Sequence, residues 1–344
     1  MKASEFVWSY ADSLPFFLQK PIWVEELSSF FAVGGSNGIF KSSDGEEWVN
    51  VGAPAKNWRS ITYSPALGRL CAGNISHSTS QVFGVSDDGG STWSLHNGYA
   101  FGYGRDVAWS EVLGQFVGFN VFSSGGTPTT YTLTAHFSAT GLTWSGVQVY
   151  TTEDLDELKM SAPGWGEAPE LGKICVISGN SLFTAEDMWS WTRSPSNLPT
   201  SAVPLWRFAW GGVTKGMLAA TDCQYSLTGA RSTDLLTWHP TTVGSTESCT
   251  SPPIYVQDLS EFVAVANWSD TTQWGASSGD GQEWSDLGIP ASEWTGIAYS
   301  PELKRFVAFG YGGEVLVGDW EGSALAPPST PFWTNHKNTR EFRR

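Results

Sequence analysis

Ser86-Asp87-Asp88-Gly89-Gly90-Ser91-Thr92-Trp93 is the stretch on which the reading of this chain turns. Ser and Asp side chains accept hydrogen bonds from backbone N–H groups just downstream and so tighten a turn. Glycine supplies the left-handed conformation such a turn requires, and the tryptophan opens the outgoing strand with a large apolar anchor, expected to pack back on its own sheet. The pattern recurs as Ser42-Ser43-Asp44-Gly45-Glu46-Glu47-Trp48, as SATGLTW from Ser138 to Trp144 and as TAEDMWSW from Thr184 to Trp191. It recurs again as STDLLTW from Ser232 to Trp238 and as SGDGQEW from Ser278 to Trp284. The tryptophans are spaced by about 45 to 51 residues, the period of a repeat architecture.

A second marker has nearly the same period. An aromatic is followed, usually four residues on, by Leu and then by an apolar run. Trp23 precedes Leu27 and FFAVGG, Tyr63 precedes Leu67 and RLCAG, and Trp109 precedes Leu113 and QFVGF. Trp210 precedes KGMLAA, Tyr255 precedes Leu259 and EFVAVA, and Tyr299 precedes Leu303 and RFVAFG. Trp165 precedes Leu171 and KICVIS, as if two residues were inserted. Seven aromatic markers thus face six turn tryptophans. The N-terminal run Glu5-Phe6-Val7-Trp8-Ser9 supplies the missing one if it forms the outer strand of the last repeat. Each repeat has room for four short strands, the size of one propeller blade. The fold class is therefore all-β, a seven-bladed β-propeller of four-stranded blades spanning 1–325, with residues 1–12 closing the ring and removing a free edge. Residues 150–163 read as an insertion between blades, with a short helix over Thr152 to Lys159 capped by Thr152.

Composition agrees. The 19 Trp, 19 Phe, 10 Tyr and 38 Gly among 344 residues suit many short strands joined by tight turns. A net charge of −15 repels phosphate backbones and argues against a nucleic-acid partner. No run approaches the ~20 apolar residues needed to span a bilayer as a helix, so no membrane insertion is expected. The N-terminus lacks the apolar core of a secretory signal, which points to a protein that stays where it is made or leaves by lysis or inside a particle. Cys71, Cys175, Cys223 and Cys249 lack metal-ligand spacing and read as buried thiols, with a Cys223–Cys249 bridge open. The five histidines are scattered, so neither a metal nor another cofactor is expected.

After Leu325 the chain changes character. A Pro-rich linker opens the segment 326–344, whose end holds Phe332, Trp333, Lys337, Arg340, Phe342 and Arg343. This basic, aromatic tail on an acidic body reads as a partner-docking peptide, or as a tail folded on its own acidic surface. A second candidate lies at the mouth of the central channel, where the loops enter the innermost strands. Trp58, Arg59, Tyr103, Arg105, Trp206, Arg207 and Trp294 stand there and would grip a sugar or an acidic peptide. Packing between blades is the plain alternative for these residues.

The turns resemble the Asp-box, or BNR repeat, of pattern S-x-D-x-G-x-x-W. Ser86 to Trp93 has the full spacing, while Ser42 to Trp48, Ser232 to Trp238 and Ser278 to Trp284 are one residue shorter. The copies at Ser138 and Thr184 carry Thr140 and Glu186 at the Asp position. Members of that group include sialidases, glucanases, sorting receptors, photosystem assembly factors and phage structural proteins, so the resemblance implies a fold rather than an activity. The longer pattern Trp58-Arg59-Ser60-Ile61-Thr62-Tyr63-Ser64-Pro65, repeated from Trp294 to Gly310, is similar to repeats in tail-associated proteins of tailed bacteriophages.

The enzymatic readings are weaker. A sialidase resemblance would imply an arginine triad, a Tyr–Glu pair, an Arg-Ile-Pro segment and six blades; that segment is missing and the count is seven. A glycosidase needs two carboxylates across a groove, and Asp106, Glu111, Glu167 and Asp258 are candidates of little specificity. The expectation is a non-enzymatic binding or structural protein, a virion component whose partners are other virion proteins or a host-surface glycan. A cytoplasmic assembly or scaffold factor and a glycan-binding lectin are the alternatives.

Overall fold

The computed structural model describes residues 1–75, 81–98, 106–155, 157–158, 163–179, 181–194, 206–221, 228–242, 248–250, 253–269 and 274–320. They form seven antiparallel sheets. Blade 1 is Gln19–Val24, Ser29–Val33, Ile39–Ser42 and Val49–Asn50; blade 2 is Trp58–Ser64, Arg69–Asn74, Phe83–Ser86 and Ser94–His96. Blade 3 is Val107–Ser110, Gln115–Ser123, Tyr131–Ser138 and Ser145–Thr152; blade 4 is Gly164–Ala168, Lys173–Ser178, Ser181–Ala185 and Thr192–Ser194. Blade 5 is Trp206–Trp210, Met217–Thr221, Thr228–Ser232 and His239–Thr242. Blade 6 has a split inner strand, Ser248–Thr250 and Ile254–Val256, both paired with Glu261–Ser269, then Gly275–Ser278 and Ser285–Asp286. Blade 7 is Trp294–Ser300, Arg305–Gly310 and Val315–Trp320, and its outer strand is Phe6–Tyr10 from the other end of the chain.

The hairpin turns are built as their side chains dictate. In blade 1, Ser42 Oγ accepts from the Gly45 N–H at 2.8 Å, and Asp44 accepts from the N–H groups of Glu46 and Glu47 at 2.9 and 3.0 Å. Trp48 Nε1–H donates to the Gly45 carbonyl at 3.0 Å. In blade 2 the Thr92 hydroxyl and N–H hold the Asp88 carboxyl at about 2. Blade 4 corrects the sequence alignment. Asp187, not Glu186, accepts from Trp189 and Ser190 N–H, and Trp191 Nε1–H donates to the Met188 carbonyl. Its turn therefore runs from Ala185 to Trp191, because Ala185 pairs with Ile174 just as Ser42 pairs with Phe30. In blade 3, Thr140 Oγ1 replaces the carboxylate and accepts from Leu142 N–H.

The second marker also has a cause. The aromatic ends the inner strand directly opposite the start of the next, as in Trp23↔Phe30, Trp109↔Phe116, Tyr255↔Phe262 and Tyr299↔Phe306. In several blades a serine then caps the turn, with Leu67, Leu113 and Leu303 N–H donating to Ser64, Ser110 and Ser300 Oγ. In blade 4 no residues are inserted. Register places Glu167 opposite Ile174, so Glu167 takes the aromatic's place and Trp165 lies one step nearer the channel.

The turn tryptophans do not simply pack on their own blade. Trp144 of blade 3 stacks on Phe83 of blade 2 with centroids 4.1 Å apart, Trp48 of blade 1 meets Phe309 of blade 7, and Trp191 of blade 4 meets Phe119 of blade 3. Among the described residues the apolar core divides into seven clusters, each shared by two neighbouring blades. A middle strand is thus packed on both faces, which is why Ser29–Val33 and Arg305–Gly310 are buried throughout instead of alternating. Hydroxyls join the inner strands: Val107 and Trp109 N–H of blade 3 donate to Ser60 Oγ and Thr62 Oγ1 of blade 2. At the outer turns, Arg305 of blade 7 pairs with Asp319 and reaches the Asp44 carbonyl and Glu46 of blade 1; Arg69 of blade 2 likewise pairs with Asp87 and reaches the Thr140 carbonyl of blade 3.

The ring closes as expected, through the N-terminal strand. Trp8 pairs with Gly318, whose missing side chain is required because a Cβ there would lie 2.7 Å from the indole. Pairing continues beyond the strand, with Ala11 N–H on the Val315 carbonyl and Leu14 N–H on that of Gly313. Ala3 N–H donates to Glu261 of blade 6, so the N-terminus spans the last two blades. Thr152 ends the last strand of blade 3, and the described residues after it form a turn rather than the expected helix. Thr152 Oγ1 accepts from Asp154 N–H, while Arg193 of blade 4 binds Glu157 and Tyr150. The long repeat here owes much to the long strands of blade 3.

Removing residues 1–12 exposes the third strand of blade 7 and part of the core between blades 6 and 7, so thermal unfolding monitored by circular dichroism should shift to markedly lower temperature. A full-length-like melt would show that closure does not depend on this strand. Gly45 lies at φ +85°, where a Cβ would sit 2.4 Å from Val307 of blade 7. Gly45→Ala should therefore cost about 2 kcal/mol or more in denaturant unfolding, while Gly279→Ala, which has open space, should change little.

Candidate functional site

All seven inner strands start at one end of the ring and enclose the mouth of the central channel. Their first residues line a cavity of 240 Å³. Ile22, Ile61, Val107, Ile254 and Ile297 supply aliphatic walls, and Trp165 and Phe208 supply an aromatic side at blades 4 and 5. Trp165 is held by stacking on Phe119 at 6.2 Å, and Phe208 meets Trp238 edge-on. Gly166 lets these two blades approach, since a Cβ there would lie 2.7 Å from Phe208.

Among the described residues an ion pair stands in this largely apolar socket. Lys20 Nζ of blade 1 meets the Asp106 carboxylate of blade 3, and both side chains are about one quarter exposed. These blades stand on either side of blade 2, so the pair bridges the start of its inner strand. Lys20 stands at φ +51° in a register irregularity between Gln19 and Ile22, a conformation that costs a non-glycine residue about 1 kcal/mol.

The sequence-derived site is only partly found here. Trp58 and Trp294 do not face a ligand: both are fully buried between blades, and their Nε1–H groups donate to the Pro54 and Pro290 carbonyls. A large indole at the start of an inner strand is drawn into the seam between blades, where it buries most area. Arg59 is half-buried and already engaged. Trp206 and Arg207 begin the inner strand of blade 5, but their side chains lie outside the described residues. So do Tyr103, Arg105 and the whole tail with Phe332, Trp333, Lys337, Arg340, Phe342 and Arg343. The sequence singles out neither Lys20 nor Phe208, and Trp165 only as a repeat marker, because neither marker labels the start of the inner strand.

Of the candidate carboxylates, Glu167 serves structure. Burial raises the Glu167 carboxyl although Ser110 Oγ and the N–H groups of Glu111 and Val112 donate to it, so it caps a turn of blade 3 from blade 4. Burial, with Asp258 nearby, pushes the Tyr299 phenol up to about 12. Gly34-Gly35-Ser36-Asn37-Gly38 has the spacing of a nucleophile elbow, but it joins two strands of blade 1 rather than a strand to a helix. Among the described residues no cluster of His, Cys, Asp and Glu is placed to hold a metal ion, and no helix is long and apolar enough to cross a membrane. Cys71 and Cys175 are buried free thiols, raised by burial, Cys175 to about 12; Cys223 and the Cys249 side chain lie outside the described residues.

His136 is buried in blade 3 against Asn120, and burial lowers its pKa from 6.5 to about 4. The unfolded chain therefore binds the extra proton first as pH falls. Stability from this group is complete above pH 6.5 and is lost between 6.5 and about 4, about 3 kcal/mol in all. His136→Gln should flatten that part of the stability–pH profile in urea unfolding.

Fold and site together define a seven-bladed β-propeller closed by its N-terminal strand, with a largely apolar channel mouth at which Lys20 meets Asp106. No protein-family model matches the chain, and no curated protein matches it. Solved structures do match in fold. A streptogramin B lyase aligns over 91% of this chain and 97% of its own at 10% identity, with a TM-score of 0.62. A selenomethionine-substituted virginiamycin B lyase from Staphylococcus aureus aligns over 91% and 99% at 8% identity, with a TM-score of 0.65. At such identity the likeness is one of fold.

Proposed function

We propose that this chain is a non-enzymatic binding and structural propeller, a virion component of a tailed bacteriophage acting in the tail or host-attachment apparatus. The observation that carries protein docking is on the turn face. Trp189 is 67% exposed and Leu236 52% exposed, at equivalent positions of the hairpin turns in adjacent blades 4 and 5. Blades 1 and 6 carry Glu46 and Gln282 there. Large apolar side chains at the rim of an otherwise acidic protein suit contact with another protein. The virion assignment draws on the similarity of the Trp58–Ser64 repeat to those of phage tail-associated proteins, and on a ring whose aromatic residues are largely committed to rigidity between blades.

In a phage lysate the protein should co-sediment with purified particles, and antibody labelling should place it on the tail. Its absence from particles would overturn the reading in favour of a cellular scaffold factor. The double variant Trp189→Ser/Leu236→Ser should melt like the parent yet enter particles at least tenfold less. A host-surface glycan partner would appear as a defined signal on a glycan array without hydrolysis. The lyase neighbours suggest a further check: incubation with streptogramin B should leave that compound intact.

A further inference from the structure

The excess negative charge of this protein is gathered at one end of the ring. At the end where the inner strands finish, every turn between paired strands lies within the described residues. These turns hold sixteen carboxylates and two lysines, Lys215 and Lys304, a balance of −14 in a chain of −15. Arg69, Lys173 and Arg305, at neighbouring strand starts, answer Asp87, Glu186 and Glu46. Within this acidic face, apolar side chains stand open on blades 4 and 5. Trp189 and Leu236 lie on the outer turns, and Val213, 51% exposed, lies on the inner turn of blade 5. Phe137 of blade 3 meets the Trp189 indole edge-on, with centroids 5.1 Å apart. The indole is thus held in place while still open to a partner, which lowers the ordering cost of binding.

We propose that this patch is the docking site of the chain's own basic segment 326–344, folded back across the turn face. The proposal rests on Trp189 and Leu236 as a docking patch and not on the virion assignment. Position supports it. The strand Val315–Trp320 finishes at this end, where Trp320 pairs with Phe6 and Lys304 Nζ stands 4.8 Å over its ring. The chain therefore continues from the edge of the acidic face. Twelve residues lead from Trp320 to Phe332, a reach of about 40 Å when extended. That is twice the ~20 Å radius of gyration of a domain this long. Blade 5 is the second blade from blade 7, and blade 4 the third. Chemistry agrees. Residues 332–344 carry Phe332, Trp333 and Phe342 beside four bases, with Glu341 as the one acid. The aromatics suit the apolar patch, and the bases suit Glu186, Asp187 and Asp234 around it. Opposite charge draws the segment to the face. The tether gives it an effective concentration of millimolar order, so a contact too weak between separate molecules forms within one chain.

The test is zero-length carbodiimide coupling on the dilute full chain, which joins an ammonium to a carboxylate only where the two touch. Peptide mass spectrometry should find Lys337 joined to Glu186, Asp187 or Asp234 within monomers. In ~1 M salt, where the Debye length is ~3 Å, this coupling should fall about tenfold. The variant Arg340→Glu/Arg343→Glu, which reverses charge on the segment, should lower it by about as much. It alters no residue of the ring, so it decides the matter even where a patch variant unfolds. Trp189→Ser/Leu236→Ser should also lower the coupling about tenfold, through the lost apolar contact. The proposal is overturned if Lys337 joins none of these carboxylates, or if charge reversal leaves the coupling unchanged. It is equally overturned if the coupling appears only in cross-linked dimers, where the occupant is the segment of a second copy. Coupling is read on the purified protein, so its failure is distinct from a failure to enter particles.

Discussion

A hairpin-turn tryptophan leaning from one blade onto the strands of the blade before it is the contact on which the ring depends. Trp144 against Phe83 shows it most plainly, with near-parallel rings 4.1 Å apart. The turn must present the indole at a fixed angle, and the Ser, Asp and Gly of the turn provide that. Where glycine is replaced, the new side chain is itself buried at the seam, as with Leu235 and Met188. Among the described residues no single blade has a core of its own. Each sheet buries its two faces against two neighbours, so the hydrophobic driving force is realised only when blades stand side by side.

That requirement explains the division of blade 7 between the ends of the chain. A linear array of blades would leave one apolar face bare at each end. Phe6 and Trp8 fill the seam between blades 6 and 7 around Phe306, while Trp48 covers the seam between blades 7 and 1 around Phe309. The closing strand therefore locks the last blade through backbone pairing and also supplies the indole that a turn supplies elsewhere. Arg305, bridging Asp319 and the Asp44 turn, adds a polar clamp at the next seam.

The demand for apolar area between blades also shapes the channel mouth. Trp58 and Trp294, placed where a ligand would pass, are pulled into seams and their indole N–H groups are satisfied by proline carbonyls. Among the described residues, what stands at the mouth is a ring of mostly aliphatic side chains and the Lys20–Asp106 pair. Burial likewise turns Glu167 from a candidate acid into a cap on a neighbouring turn, because a desolvated carboxylate is tolerable where three donors meet it.

The sequence by itself determined the architecture: seven blades, four strands in each, and the N-terminal strand as the missing piece. It could do so because these features are local, written in turn chemistry and repeated at one period. It also marked the leucine of the inner turn, though not the serine that caps it. Tertiary structure decided the rest. Whether Glu186 or Asp187 makes the blade 4 turn, and whether Trp165 or Glu167 ends its inner strand, depends on pairing register, since one residue of slip moves every side chain to the other face. The meeting of Lys20 with Asp106 joins residues far apart in the chain through ring geometry alone. Which aromatics face a ligand and which a neighbouring blade is settled by competition for buried area, and that competition exists only once the seven blades have closed.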